Sequence, residues 1–431
     1  MTMPWRFSMS LATVCLAATS SLAFAQGPMP TSHAWGPPSA AQSMIPAYPP
    51  GGMGPGGIAP GYGPACPPGN GQYIGGGPQL VDPDIFYDND SPIDLVIRET
   101  LRRSWMRIEY LHWNIKDPGN RLLGAETATV DPAGPFQAFD PGNIPRLGVA
   151  AFVPSTGDVR FDALPGMRLT LGAPTEWGSF EADIWAVMNA STTISADPEI
   201  DPTFGFTVIP AVTLTVNGAP SDTQMILFDN GYDAELRSGM WGAQGNWVGN
   251  PVTPQNTLCL SPVVGIRYVK FDEELRISGS DITTATNPRI TSKSNNNLVG
   301  PQLGFRASLD SKWLSFGIEP KVMFGINRHQ DTVRATQIFD VANPNAFETN
   351  EDTDFAPACN VPAYAKLHLS QNFSLFAGYE LLWLSNVSRA TEHIVYDSPA
   401  IPTDPPQIGL KKHREQVYAH GFMVGGELRF R

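Results

Sequence analysis

The segment QVYAHGFMVGGELRFR (416–431) limits the fold more than any other stretch of the chain. At a period of two, Tyr418, Phe422, Val424, Leu428 and Phe430 fall on one face, and Gly421, Gly425, Glu427, Arg429 and Arg431 on the other. Successive side chains of a strand point to opposite faces, so this is a strand with one apolar and one polar side. A strand of this kind that ends on an aromatic suits the wall of a transmembrane barrel, apolar outward and polar inward. Such a wall needs neighbours with the same alternation.

The chain supplies them. The same period runs through 105–113, 166–171, 177–187, 236–248, 258–271, 298–309, 314–327, 359–369 and 373–385. It is clearest in the seventh stretch, where Leu314, Phe316, Ile318, Val322, Phe324 and Ile326 alternate with Ser315, Glu319, Lys321 and Asn327. The connections alternate too. Stretches such as 272–297, 328–358 and 386–415 are long, whereas 172–176, 249–257, 310–312 and 370–372 are short. Outer-membrane barrels have short periplasmic turns, longer external loops and an even strand number. The expectation is an all-β, antiparallel up-and-down barrel over 104–431, with both termini periplasmic. About ten strands are expected, with twelve as the alternative, and the run Val208 to Val216 is apolar enough to add a strand within the second long connection.

The inward positions carry charge: Arg107, Glu109, Arg168, Glu181, Asp183, Arg267, Arg306, Glu319, Lys321, Lys366, Glu380, Glu427 and Arg429. Both signs are nearly balanced. They either fill the lumen as cross-strand ion pairs or line a narrow, weakly selective pore. Barrels of about eight strands are filled by side chains and open channels appear at 16–18, so ten strands favour filling. Trp113, Trp177, Trp185, Trp247 and Trp383 sit near strand ends and are expected in the interfacial girdles.

The N-terminal part is different. A short apolar run ends in Ala23-Phe24-Ala25, which predicts an export signal cleaved after Ala25. Residues 26–80 form a Pro/Gly-rich tether that cannot bury enough apolar surface to order itself. Residues 81–103 are expected to hold a short helix or lumen plug, with Ser91 as N-cap and Pro92 in its first turn. Outside the leader, no apolar run approaches the ~18 residues a spanning helix needs. The net charge of -13 argues against nucleic acid, which wants a basic face. It suits loops that attract divalent cations, although the acids Asp82, Asp84, Asp88 and Asp90 lack the spacing of a calcium loop. Once Cys15 leaves with the signal, Cys66, Cys259 and Cys359 are too few for a disulfide scaffold.

No G-x-S-x-G, H-E-x-x-H, Walker or CxxC motif occurs. The pairings that could serve a hydrolase at the rim are Asp117, Asp331 and His329, or His393 with Asp397. Acids and histidines in long loops are more often simply solvated. No enzyme, cofactor or metal is expected.

The strand motifs WMRIEYLHW (105–113), GMRLTLG (166–172), MWGAQGNW (240–247), VVGIRYVKFDEELRI (263–277), GPQLGFRA (300–307), LFAGYELLWLSNVSR (375–389) and HGFMVGGELRF (420–430) resemble the BBP-type outer-membrane β-barrel proteins. The resemblance implies the fold and the outer membrane. It brings no reaction, ligand or catalytic residue. It also implies contact with membrane lipid and with the barrel-assembly machinery, which would read Phe430, although here Arg431 follows that aromatic. The expected role is structural or surface-display, with a narrow porin-like channel as the alternative.

Overall fold

A computed structural model describes residues 103–202, 205–253, 258–339, 345–398 and 407–430. The signal with Ala25, the tether over 26–80, nearly all of the helix expected over 81–103, and Arg431 lie outside the described residues.

Ten strands close into a ring. They are β1 (Trp105–Ile115), β2 (Leu164–Thr175), β3 (Gly178–Ala196), β4 (Tyr232–Gly249), β5 (Leu258–Gly279), β6 (Arg289–Asp310), β7 (Leu314–Ile318 and Lys321–Thr336), β8 (Ala346–His368), β9 (Phe373–Val387) and β10 (Glu415–Arg429). Each is antiparallel to its chain neighbour, and β1 pairs with β10 from Trp105↔Arg429 to Ile115↔Ala419. Closure leaves the wall without an edge strand, which hydrocarbon demands. Pro320 has no N–H and interrupts β7. The seam is held there by Phe305 N–H donating to Pro320 O (3.2 Å) and Glu319 N–H donating to Pro362 O (2.9 Å).

The apolar outer face includes Ile108, Tyr110, Leu169, Phe180, Ile184, Ile266, Phe305, Phe316, Phe324, Leu375, Phe422 and Val424, all exposed. This is the lipid-facing belt. Several strands run far past it. β5 and β6 have 22 residues each, about 70 Å if fully extended, whereas a tilted strand crosses a bilayer in about 9–11. Beyond the belt the pattern inverts. On β5, Val264, Ile266 and Tyr268 face out beside inward Arg267; farther on, Phe271, Leu275 and Ile277 face in, with Lys270, Asp272, Glu274 and Arg276 outside.

This corrects the reading of 272–297 and 328–358 as long loops. Both are mainly β-hairpin, and the connections shrink to 280–288 and 337–345. The run from Val208 to Val216 is also corrected. Thr207–Thr213 is a strand, but it joins a five-stranded sheet with Phe136–Asp140, Ile144–Phe152, Glu199–Ile200 and Met225–Leu227, outside the ring. That sheet has its own core of Phe136, Ala151, Val153, Ile209, Met225 and Leu227. It forms a cap from the connections after β1 and β3, at the end of the barrel opposite the two barrel termini.

Candidate functional site

The barrel interior is stratified. At the end bearing the termini lies an ionic layer. Arg168 Nη2 donates to Glu380 Oε2 at 2.5 Å, and Arg168 Nη1 lies 3.5 Å from Glu109 Oε2. Arg306 bridges Glu181 and Glu319, each at 2.6 Å, and Lys321 Nζ meets Glu319 at 2.7 Å. Arg267 donates to Gln244 (2.6 Å) and Asn360 (2.8 Å), while Gln244 Nε2 donates to Asp183 Oδ2 (2.5 Å). Nearer the opening, Lys366 pairs with Glu427 at 2.6 Å, and Arg107 lies 3.0 Å from Glu109 and 3.9 Å from Glu427. Arg429 reaches Glu427 at 3.3 Å and is half exposed.

Several of these pairs cross the lumen rather than running along one wall. Arg168 on β2 reaches β9, and Arg306 on β6 reaches β3. Burying an ion is costly unless a partner sits in good geometry, and removing one partner leaves the other charged and alone. The layer is therefore a set of mutually dependent cross-braces.

Above it lies an apolar layer. Trp113 and Trp185 are 0% and 4% exposed, with ring centroids 5.0 Å apart. Met240, Val269, Leu298, Met323, Leu382 and Met423 share the same buried cluster. This overturns the girdle placement of these two tryptophans. Trp113 shares the face of Glu109 and Leu111, so strand parity turns it inward. Trp177 is exposed in the β2–β3 turn, and Trp247 and Trp383 are half-buried.

The next layer is polar. The connection after β9 folds back into the barrel mouth. Arg389, fully buried, donates to Glu273 through Nη2 at 2.5 Å and Nε at 3.1 Å, and to Asp117 O at 3.0 Å. Ser388 O accepts from Ser294 Oγ and Asn296 Nδ2, both at 2.8 Å. His393 Nε2 lies 2.7 Å from Ser292 Oγ, and its Nδ1 is 3.4 Å from Ser388 Oγ and 3.9 Å from Asp331 Oδ1. Burial, with the Asp331 carboxylate opposing it, pushes the His393 imidazole down to about 4. The segment then continues into Asp397–Ser398, which pairs in parallel with Thr215–Val216 of the cap.

Ser292, His393 and Asp331 thus stand together, the composition of a hydrolytic triad. Their geometry is that of a clamp. All three are buried, Ser292 Oγ is also 2.7 Å from Ala390 O, and the carboxylate stands beyond hydrogen-bond reach of Nδ1. The pairing of His393 with Asp397 is corrected. Asp397 accepts instead from Thr215 Oγ1 (2.6 Å) and Gly218 N–H (2.9 Å). Asp117 accepts from Phe161 N–H at 2.8 Å, and His329 lies between Asp331 and Arg414. Among the described residues no group of three or more His, Cys, Asp or Glu is placed to hold a metal ion.

Sequence reasoning missed Glu273, Ser292, Ser294, Asn296 and Arg389. All lie beyond the belt, where the inverted pattern reads as loop. The surviving signal was the alternation of Phe271, Leu275 and Ile277 with charged residues.

Residues 105–430 match the model of the family described as "Putative beta barrel porin-7 (BBP7)". The chain belongs to this family. The closed ring and outward apolar belt are what a porin-like outer-membrane barrel requires. A comparison with curated protein sequences gives no match. Among solved structures, the chain is similar to the outer membrane protease OmpT of Escherichia coli, at 9% identity over 77% of this chain and 98% of that one, with a TM-score of 0.40. A FadL homologue of Pseudomonas aeruginosa matches at 8% identity over 76% and 90%, with a TM-score of 0.21. The Pseudomonas putida toluene transporter TodX matches at 8% identity over 79% and 92%, with a TM-score of 0.18.

Proposed function

We propose that this family member is a closed structural or surface-display barrel of the outer membrane, with both barrel termini periplasmic and the cap outside. The observation that carries the reading is the layered lumen: ion-paired, then apolar with Trp113 and Trp185 at its centre, then clamped by Arg389 and His393. Water and ions do not cross a layer of packed indole, Met and Leu side chains without displacing it. The outward cap offers the exposed side chains Ile144, Leu147 and Ile200 to neighbours, and the acidic balance of the chain suits divalent cations at its surface. No reaction is assigned to it, because its Ser–His–Asp cluster is sealed.

A narrow channel is the second reading, favoured by the family's porin name and by one feature of the fold. The clamp is made by a loop segment, 388–396, rather than by the wall itself.

Single-channel recording of the refolded mature chain in a planar bilayer tests the choice, with heat-shifted gel mobility reporting that the barrel has formed. The closed reading expects silence from folded protein. Reproducible steps would replace it with the channel reading.

A further inference from the structure

The lipid-facing belt is interrupted over β1 to β5 by a groove of about 790 Å³, near the end of the barrel that carries the termini. One row of outward positions crosses it. Met106 pairs with Leu171, Leu171 with Ala182, Ala182 with Gly245 and Gly245 with Ile266. Ala182 and Gly245 form the floor. Leu171 and Ile266, both exposed, stand at either side of it, and Phe180 and Trp247 pair with one another along the side toward the β2–β3 turn. Trp105 and Phe430 line the groove where it nears the termini.

The wall itself does not account for Gly245. Glycine inside a strand weakens it, and where it stands it marks a bulge, a tight bend or a place where another molecule comes close to the backbone. Pairing runs unbroken through Gly245 on both sides, to Ala182 and to Ile266, so it is no bulge. Its φ is not in the left-handed region that favours glycine. Other wall glycines are required by crowding: an added Cβ would stand 2.7 Å from the Trp185 ring at Gly242 and 2.2 Å from Asn246 Oδ1 at Gly265. At Gly245 it would meet nothing within 4 Å among the described residues. The protein leaves the space over Gly245 open, and that space faces the membrane.

We infer that this groove is the seat of one acyl chain of a phospholipid, held from the membrane leaflet at the terminus-bearing end. The groove is continuous with the apolar belt, so hydrocarbon is what faces it. A void there would forfeit dispersion contacts of both the protein and the lipid. A slim, unbranched chain can lie over Gly245 and Ala182 between Leu171 and Ile266, and a large side chain at position 245 would take its place. Trp105 and Trp247 stand toward the membrane boundary, where amphipathic rings sit level with the headgroups. The choice of leaflet rests on the periplasmic placement of the termini proposed above. The seat itself does not, and it is independent of whether the lumen is closed.

The test is native mass spectrometry of the full mature chain, refolded in detergent and titrated with palmitoyl-oleoyl phosphatidylethanolamine. The wild-type barrel should retain one lipid. Gly245→Phe, in protein whose heat-shifted mobility is unchanged, should weaken retention by at least about tenfold, the equivalent of about two methylenes no longer buried. Val424→Phe enlarges an exposed outward side chain on β10 instead and should leave retention as it was. No retained lipid, wild-type retention in Gly245→Phe, or equal loss in Val424→Phe would each overturn the assignment. A dimer of the wild type that Gly245→Phe abolishes would give the groove to a second copy and overturn it too. Retention of lipid A in preference to the phospholipid would overturn the choice of leaflet, and with it the placement of the termini. Conductance reads neither result, so this proposal and the closed-barrel reading fail separately.

Discussion

Lowering the pH should unseat the segment that closes the barrel mouth. His393 lies in the connection after β9, fully buried against Ser292, Ser388 and Asp331, with Arg414 and His329 nearby. Burial holds its imidazole at about 4, against an ordinary 6.5. The seated segment therefore keeps His393 neutral, whereas the released segment takes up a proton near 6.5. Its contribution to seating is complete above that value and is lost as pH falls toward 4. The full span of 2.5 units corresponds to about 3 kcal/mol, of which about 2 kcal/mol is already lost at pH 5. Hydrogen exchange over 388–398, corrected for the intrinsic pH dependence of amide exchange, reads this directly. Protection should fall by about thirtyfold between pH 7 and pH 5, the equivalent of that loss. His393→Gln should flatten the profile across the same window. Protection that stays constant to pH 5, or an unchanged slope in His393→Gln, would refute the reasoning.

Two further outcomes follow from the interior packing. Trp113→Ala removes the largest buried side chain of the apolar layer and leaves Trp185 without its ring partner; it should cost about 3–5 kcal/mol, seen as a lower temperature of the heat-shifted gel transition, and an unchanged transition would place Trp113 outside the packed layer. Arg389→Met strands the buried Glu273 carboxylate; it should weaken the clamp by about 3–5 kcal/mol and be seen as protease cleavage within 388–398 while the β-barrel circular dichroism persists.

The wall was legible in the sequence because membrane and lumen impose opposite polarities on a period of two. Phe324 and Ile326 against Asn327, or Tyr418 and Phe422 against Glu427, report which side meets lipid, and the structure pairs those strands as that pattern requires. Past the belt the outside is water and the inside is packed loop, so the same alternation carries the opposite meaning. That is why 272–297 and 328–358 read as loops although most of their residues extend β5 to β8. Trp113 was misplaced for a related reason. An aromatic near a strand end fits a girdle by composition, yet its parity with Glu109 turns it inward. The clamp could not be read at all. Arg389 and Glu273 meet across 116 positions, and no local spacing records that distance.

That separation also orders the assembly of the molecule in time. The clamp segment lies between the last two strands, and its partners Glu273 and Ser292 were made more than a hundred residues earlier. Contacts this distant in sequence form after local hairpins, because the intervening chain must first be closed into a loop. The clamp can therefore form only once β5 and β6 are in place and the chain has turned back from β9. Hairpin pairing between chain neighbours comes first, and the two long-range events, seating of the clamp and pairing of β1 with β10, come after it.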